Sequence, residues 1–321
     1  MGLGPKVYTE QMASSVKAHE MRQHPAVRTK RRYSWKTALV AYVFLLPTLI
    51  AIALFSYYPA LSALLGAFTN WNGFNPPQWV GLQNFAQAFQ DPIFLASAKN
   101  LLIWSLVGLP LSLVPSFVVA ELIFHLRSTR AQYVYRTVFV LSFVIPSVVT
   151  ILIWQYIYEP TGLLNHLLIS MGLQSWTQSW IADPKYALWA VILMGFPWVN
   201  PFNLLVYYAG LQSIPAELFD AAAVDGVSGL QRIAHIDVPM VLSQIKVLLV
   251  LSIVGVTQNI VVPLIMTDGG PGNSTTTPVF YMYEQAIQYG NYGYSMAIAL
   301  MLFVVVMALA LVNIKYFQAE R

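Results

Sequence analysis

The sequence contains no cysteine and few charged residues. Without cysteine, the chain forms no disulfide, has no thiol nucleophile and offers no thiolate to a metal. Charged residues make up 9% of the 321 residues, whereas they make up about a quarter of a typical soluble domain. Hydrophobic residues make up 57%. A chain of this composition cannot cover a water-facing surface with polar groups, so an ordinary soluble protein is excluded.

Long apolar runs dominate the sequence instead. Six of them reach the roughly 20 residues that a membrane-spanning helix needs. They are apolar on every face, unlike the alternating ~10-residue segments of an outer-membrane barrel. We therefore predict an all-α integral membrane protein with six transmembrane helices. The runs are 38–60, 100–124, 137–158, 186–211, 246–266 and 294–313.

The basic residues are distributed unevenly about these runs. An even number of spans places both termini on one side, and all of the 17 Lys and Arg residues except Lys99 and Lys185 fall on that side. The positive-inside rule therefore predicts that both termini are cytoplasmic. The basic tail, residues 1–36, is needed to orient the first helix, so its charge does not indicate nucleic-acid binding. A transmembrane domain, 37–321, follows the tail.

The segment between the fourth and fifth predicted helices, residues 213–245, differs from its surroundings. It is polar and contains a short helical pattern in which Glu217 complements the positive end of the helix dipole. Asp225 and Gly226 then predict a turn, because glycine adopts backbone angles that are closed to other residues. A second short helix runs towards Pro239. Two short amphipathic helices joined by a glycine turn predict a cytoplasmic docking surface for another protein.

This segment resembles the signature of the binding-protein-dependent ABC importer permeases, which is Glu-Ala-Ala, three residues, Gly, nine residues and Ile-x-Leu-Pro. The chain has Asp220-Ala221-Ala222, then Gly226, then Ile236-Asp237-Val238-Pro239. It departs from the family by the shorter carboxylate of Asp220. The coupling-helix residues to which the resemblance assigns ATPase docking are Glu217, Asp220, Ala221, Ala222, Asp225, Gly226 and Arg232.

Other motifs resemble the sugar-importing branch of that family. They are Val80-Gly81-Leu82 with Asn84-Phe85, Glu159-Pro160-Thr161-Gly162 with Asn165, and Thr267-Asp268-Gly269-Gly270-Pro271. The resemblance covers residues 37–321 and implies a permease of the bacterial cytoplasmic (inner) membrane that carries a sugar or oligosaccharide, polyuronates such as alginate included. It implies four kinds of partner: membrane lipid, a second homologous permease, two cytosolic ATPases and an extracytoplasmic solute-binding protein. The ATPases would bind ATP and Mg, and this chain would hold no cofactor.

Polar residues inside the fourth and fifth predicted helices are candidates for a substrate path. Amides in lipid are costly unless they are paired, and hydrogen bonds between helices explain them as well as contact with substrate does. A sugar site needs neutral donors and acceptors beside aromatic faces, and Trp198, Tyr207 and Tyr208 lie nearby in sequence. Resemblance to the maltose importer places Ser252 and Asn259 at substrate-contacting positions. The candidates are Asn200, Asn203, Ser252, Gln258 and Asn259.

Two other classes of function fit the sequence less well. An ion-coupled secondary transporter needs a charged group within a span, and the one strong candidate is Glu121, where Arg127 or water is within reach. An enzyme is disfavoured because the five histidines show no metal-ligand spacing. The glycine-rich stretch 269–275 lacks the Lys of a phosphate-binding loop, so we expect no ATP hydrolysis by this chain.

Overall fold

The computed structural model describes residues 35–316, and the predicted basic tail therefore lies almost entirely outside the described residues. Within 35–316 every regular element is helical, and a single antiparallel bridge joins Thr69 to Trp79. The prediction of an all-α chain is confirmed. Residues from Ala60 onwards form one compact unit, and the described residues before it form a separate helical segment.

Fifteen α-helices make up the described chain, several of them interrupted by short π-helical or 3-10 turns. They are α1 Trp35–Ile52, α2 Tyr58–Gly66, α3 Gln83–Gln90, α4 Pro92–Phe124, α5 Thr129–Leu141, α6 Ser147–Tyr158, α7 Leu163–Ser170, α8 Ala187–Leu193, α9 Pro201–Gln212, α10 Ala216–Val224, α11 Gly229–Arg232, α12 Val238–Met240, α13 Leu242–Thr257, α14 Pro278–Tyr283 and α15 Tyr292–Tyr316.

The number of continuous spans is smaller than predicted. Three helical stretches of the described chain are long and apolar enough to cross a membrane: Tyr42–Gly66, Pro92–Phe124 and Tyr292–Asn313. Two bent pairs raise the number to five if each pair is one span. One pair joins α5 to α6 at 90°, and the other joins Gly229–Met240 to α13 at 69°. The bend between α5 and α6 falls at Pro146, which starts α6 and has no backbone N–H to continue the preceding helix.

The fourth predicted helix, 186–211, is broken into α8 and α9. Residues 194–200 are not helical between them, and Gly195 and Trp198 have φ of +92° and +59°. Pro197 and Pro201 lack the N–H groups that a continuous helix would need there. Asn200 then caps α9 by accepting hydrogen bonds from the backbone N–H groups of Phe202 and Asn203 at 2.9 and 3.2 Å. Hydropathy alone cannot detect this break, because the average over the segment is strongly apolar in spite of Asn200 and Asn203.

Helix α4 is the central element of the unit that begins at Ala60. Its 33 residues extend about 50 Å at 1.5 Å per residue, which exceeds the roughly 30 Å hydrocarbon core of a bilayer. It begins earlier than the predicted residue 100, because Asp91 accepts hydrogen bonds from the N–H groups of Ile93 and Phe94 and Pro92 occupies the first turn. Leu113 and Ala120 of α4 pack with Leu204 of α9 and Leu248 of α13 in a buried core.

The Asp91 end of α4 is closely hydrogen-bonded. Asp91 Oδ2 accepts from the hydroxyls of Tyr281 and Tyr294 at 2.6 and 2.8 Å. Burial alone would raise the pKa of the Asp91 carboxyl, but these hydrogen bonds and those from two backbone amides outweigh it and hold the pKa below its ordinary value. Asn100 Nδ2 donates to the carbonyls of Asn273 and Thr276, both at 2.9 Å. The loop before α14 is thereby tied to α4.

A tight turn precedes α3. The backbone N–H of Asn70 donates to Gln78 O at 3.0 Å, and Val80 N–H donates to Phe68 O at 2.8 Å. At the tip of the turn, Phe74 is 93% exposed. The side chain of Asn72 accepts from the N–H of Phe74 at 3.2 Å, so the tip has a defined conformation.

Candidate docking loop and substrate cavity

Helix α10 of the predicted docking segment has one buried face and contacts the end of α4 through Phe219. Ala222 is buried, and the ring of Phe219 lies 5.9 Å from the ring of Phe124. These positions are three apart, so they share one face of α10. Val224, at the end of the same helix, points away from the core and is 88% exposed. The buried face of α10 is therefore narrow.

The remaining predicted docking residues of α10 and its turn are exposed. Glu217 lies in the first turn of α10, Asp225 ends the helix, and Asp220 and Ala221 lie between them, all accessible. Leu230 of α11 is 83% exposed. Large apolar side chains held outside a core beside charged residues are typical of protein interaction sites.

The turn between α10 and α11 has the conformation expected of a glycine turn. Gly226 has φ +71°, and a Cβ atom there would meet nothing within 4 Å. The N–H of Val227 donates to Ala222 O at 2.9 Å, which closes the helix end. Ser228 precedes α11, but its hydroxyl accepts no capping hydrogen bond. Glycine is thus required at position 226 because of its positive φ angle, and not because a side chain would clash with a neighbour.

Arg232, predicted to be a docking residue, is directed inwards. Its Nε donates to Asp237 Oδ2 at 3.2 Å, and its guanidinium carbon lies 5.1 Å from the centre of the Phe219 ring. Arg232 therefore connects the second half of the loop to α10. Arg232 thus stabilises the loop internally and is not an exposed docking contact.

Three titratable residues meet where the loop reaches α4. Each offers one side-chain atom that could bind a metal ion, and these atoms of Glu121, His125 and Asp237 all lie within 4.8 Å of one another. His125 Nδ1 lies 3.3 Å from Glu121 Oε2 and donates to the backbone oxygen of Glu121 at 2.7 Å. The sequence suggested Arg127 or water as the partner of Glu121. It gave no sign of Asp237, because the two carboxyls are far apart in the chain and meet only through tertiary packing.

A cavity of about 480 Å³ opens where α4, α6, the α8–α9 break and α13 meet. All of its lining residues are uncharged. Two tryptophans supply aromatic faces, and hydroxyl and amide groups supply neutral donors and acceptors. These lining residues are Trp104, Trp198, Ser112, Ser147, Thr150, Asn200 and Asn259.

The structure separates the five predicted substrate-path residues. Asn200 and Asn259 line the cavity, whereas Asn203, Ser252 and Gln258 do not. Asn203 is buried and donates from Nδ2 to Ser112 O at 3.1 Å, which is a contact between helices of the kind that the packing interpretation expects.

The two asparagines in the cavity use their oxygens to hold the chain. Asn200 Oδ1 caps α9, and Asn259 Oδ1 accepts from the N–H of Val262 at 3.1 Å. Among the described residues, neither Nδ2 group donates to a protein acceptor. Both amide nitrogens thus remain as donors towards a ligand.

Of the three aromatic residues that the sequence suggested near the substrate path, Trp198 lines the cavity and the two tyrosines do not. Tyr207 and Tyr208 are buried in the core that contains Leu204, and Tyr208 donates to Gln132 Oε1 at 3.0 Å. Trp198 does reach the cavity, and its Nε1 donates to Leu193 O at 2.9 Å. Trp104 was missed, because a tryptophan inside an apolar run carries no signal that separates a cavity wall from a lipid-facing position.

The known proteins that this sequence resembles are membrane permeases, in agreement with the helical fold. The sequence model of the family described as "Binding-protein-dependent transport system inner membrane component" matches residues 113–317. The chain is 30% identical over 285 residues to the probable ABC transporter permease protein YurN of Bacillus subtilis, covering 88% of this chain and 97% of the relative. It is 29% identical over 296 residues to the sn-glycerol-3-phosphate transport system permease protein UgpA of Pectobacterium atrosepticum, covering 91% and 98%.

A solved structure shares the same architecture. A chain of a bacterial ABC transporter involved in the import of the acidic polysaccharide alginate matches with a TM-score of 0.74 and 24% identity, covering 88% of this chain and 96% of that one. At this identity the likeness supports the fold. Since the family model spans more than half of the sequence and YurN aligns over most of its length, the chain belongs to the binding-protein-dependent transport system inner membrane components and is an ABC transporter permease, a membrane subunit and not an enzyme.

Proposed function

We propose that this permease forms half of the translocation channel of an ATP-driven importer for a sugar or oligosaccharide. The observation that carries the proposal is the uncharged cavity at the α8–α9 break, which combines two tryptophans with hydroxyl and amide groups. Such a lining suits a saccharide, whose hydroxyls need neutral hydrogen-bonding partners and whose ring faces pack on aromatic side chains. Irregular backbone at membrane depth is tolerated where it lines a water-filled cavity.

The relatives and structural neighbours bear on the substrate class. Their names refer to sn-glycerol-3-phosphate, sulfoquinovosyl glycerol and alginate. The uncharged lining of this half-channel offers no cation to a carboxylate or phosphate. A polyuronate such as alginate would therefore need its cationic contacts from the second permease subunit. A neutral saccharide needs none.

The loop that contains α10 and α11 is the proposed site of ATPase docking. Val224 and Leu230 project from it, and Asp220 and Asp225 surround them with negative charge. Two cytosolic ATPase subunits, one on each permease, would bind ATP and Mg and drive the cycle. On the opposite face, an extracytoplasmic solute-binding protein would deliver the substrate. A solved structure of similar fold, that of a bacterial alginate ABC transporter, is a complex with an alginate pentasaccharide-bound periplasmic protein.

We further propose six membrane crossings with both termini cytoplasmic, in the bacterial cytoplasmic membrane. The three long helices and the two bent pairs account for five spans, and α8 and α9 together form a sixth, broken one. Because the chain lacks cysteine, single cysteines report accessibility without background labelling. Met171→Cys should react with an impermeant maleimide in intact spheroplasts, and Leu230→Cys only in inverted vesicles. The reverse labelling pattern would contradict this topology.

Transport by the reconstituted importer tests the cavity. Asn259→Ala removes the free Nδ2 donor and should lower uptake about tenfold or more, the effect of a lost substrate hydrogen bond in a closed site. Asn259→Asp keeps a side-chain oxygen of the same reach that can accept from Val262 N–H but has no Nδ2 donor, so it separates loss of the donor from loss of the cap. Gln258→Ala is the matched control, since Gln258 is the next residue along the chain but lies outside the cavity.

We expect both Asn259 variants to assemble with the ATPases and to keep basal ATP hydrolysis, while uptake falls. A panel of labelled neutral and acidic saccharides should show uptake of a neutral sugar. Normal uptake by both Asn259 variants would move the substrate path away from this cavity.

A further inference from the structure

Two carboxyl groups meet between α4 and the docking loop, and neither the cavity nor the exposed docking surface uses them. Glu121 lies in the last turn of α4 and is 4% exposed, and Asp237 follows α11 and is fully buried. Both oxygens of Glu121 and Oδ1 of Asp237 are buried and lack a hydrogen-bond partner. Buried polar atoms are nearly always paired, so three unpaired oxygens at one place call for a missing hydrogen or cation.

Arg232 is the permanent cation bonded to this pair, and its positive charge balances one of the two carboxylates. Arg232 Nε bonds to Oδ2 of Asp237 at 3.2 Å and neutralises that carboxylate. His125, the other titratable group here, is partly exposed and uses its Nδ1 hydrogen for the backbone oxygen of Glu121. Two anionic carboxylates this close in a buried place are costly, and the usual outcome is that one of them keeps its proton.

A divalent metal ion fits the place less well than a proton. The ligand atoms of Glu121, His125 and Asp237 lie within 4.8 Å of one another. Any ion among them would also face the Arg232 guanidinium, which is already bonded to Asp237. A proton adds no repulsion of that kind and supplies one hydrogen, which pairs two of the three unpaired oxygens.

We propose that Glu121 and Asp237 share one proton, which Glu121 holds and donates as O–H to Oδ1 of Asp237, and that this bond transmits movement of the docking loop to α4. The proposal rests on the function proposed above for the loop. The same helix bears Trp104 and Ser112 of the cavity. A displacement of the loop by an attached ATPase would therefore pull on the helix that walls the substrate cavity. Glu121 and Asp237 act as positioning residues.

Substitutions at position 121 in the complete importer separate a shared proton from a charge. Glu121→Gln replaces the O–H donor with an N–H donor of the same reach and should keep transport per ATP hydrolysed close to the wild-type ratio. Glu121→Ala and Glu121→Leu remove the donor and should lower that ratio about tenfold, as expected for one lost buried hydrogen bond. Glu159→Gln, on an exposed loop residue, is the control.

Infrared spectroscopy of the permease detects the proton itself and does not depend on transport. A protonated carboxyl has its own C=O stretching band, and the wild type should show one that is absent in Glu121→Gln. Absence of this band from the wild type, or a Glu121→Gln variant as poorly coupled as Glu121→Ala, would overturn the proposal. So would bound zinc or manganese, found by mass spectrometry in the wild type and lost in Glu121→Gln.

The outcome also distinguishes this proposal from the docking proposal. If the ATPases fail to co-purify with the wild-type permease, the loop is not the docking site, whatever the infrared band shows. If they co-purify with every variant and the Glu121→Ala and Glu121→Leu variants couple normally, docking stands and the shared proton has no part in coupling.

Discussion

At one end of α4 Asp91 accepts four hydrogen bonds, whereas at the other end both carboxyl oxygens of Glu121 lack a donor. The Asp91 end also buries its polar loop, since Thr276 is inaccessible and bonded to Gly269. The Glu121 end instead exposes Leu230 and neighbouring apolar side chains. The first end is complete within this chain, whereas the second exposes the loop for which we propose ATPase docking. Stability should therefore depend on the first end and assembly on the second.

The largest expected effect on stability is at Gly293, in the first turn of α15. A Cβ there would overlap the backbone oxygen of Thr69 and lie 3.0 Å from the N of Trp71. Because backbone cannot yield easily, we expect Gly293→Ala to exceed the ~1–3 kcal/mol typical of overpacking. The folded fraction in detergent, measured by size-exclusion chromatography, should collapse. Gly255→Ala, where a Cβ meets nothing within 4 Å, should behave as wild type; equal yields of the two variants would contradict the expectation.

Asp91→Asn should have the next largest effect, about 1–3 kcal/mol, because it removes charge-assisted hydrogen bonds from two tyrosines. The pKa of Asp91 lies below its ordinary value, so its stabilisation is fully present above the ordinary pKa and is lost as pH falls through the lowered one. Thermal unfolding of the wild type should weaken over that acidic range, with Asp91→Asn lacking this component. Asp220→Asn, an exposed carboxylate on the docking loop, is the control. A pH profile unchanged by Asp91→Asn would count against this account.

Gly226→Ala should cost about 1 kcal/mol, the penalty of a left-handed backbone for a residue with a Cβ. No neighbour would be displaced, so packing adds nothing. Asparagine tolerates this conformation better, and Gly226→Asn should therefore restore most of the loss. The midpoint of thermal unfolding and the yield of co-purified ATPase are the measurements. Equal losses for the two substitutions would show that the backbone angle is not what requires glycine.

The smallest change in stability is expected for Val224→Ser and Leu230→Ser, within about 0.5 kcal/mol, because both side chains are exposed. Attachment of the ATPases should nevertheless weaken, since buried apolar side chains contribute much of the affinity of an interface. Co-purification at increasing salt measures that loss. Thr267→Ser, a conservative change at the Asp91 end, should leave attachment unchanged. Full attachment of the ATPases to a permease that carries both substitutions would show that Val224 and Leu230 are not part of the docking surface.

Local signals in the sequence predicted much of the fold. Apolar runs gave the helical class, and Gly226 gave the turn of the docking loop at the right place. The start of α4 was predicted too late, although Asp91 and Pro92 form a typical helix start, because the charged Lys99 directly precedes the apolar run. Hydropathy measures average apolarity and does not register the capping that defines where a helix begins.

The cavity and the carboxyl pair could not be predicted, because they depend on contacts between distant segments. Asn200 and Asn203 are equivalent in sequence terms, yet one lines the cavity and the other bonds to Ser112 O. Nothing in the spacing of Glu121 and Asp237 indicates that they meet. Polarity within a span identifies a residue that needs a partner and leaves open whether that partner is protein or substrate.

The turn that ends in Phe74 has a practical consequence for imaging. Its two sides are joined by backbone hydrogen bonds at Asn70 and Val80, while its tip is 93% exposed. A short epitope inserted at the tip would be held at a fixed angle, since the base of the turn stays paired. A nanobody bound there would give a small, largely membrane-embedded particle an asymmetric landmark for alignment in electron cryo-microscopy, and would distinguish this permease from the second permease proposed above.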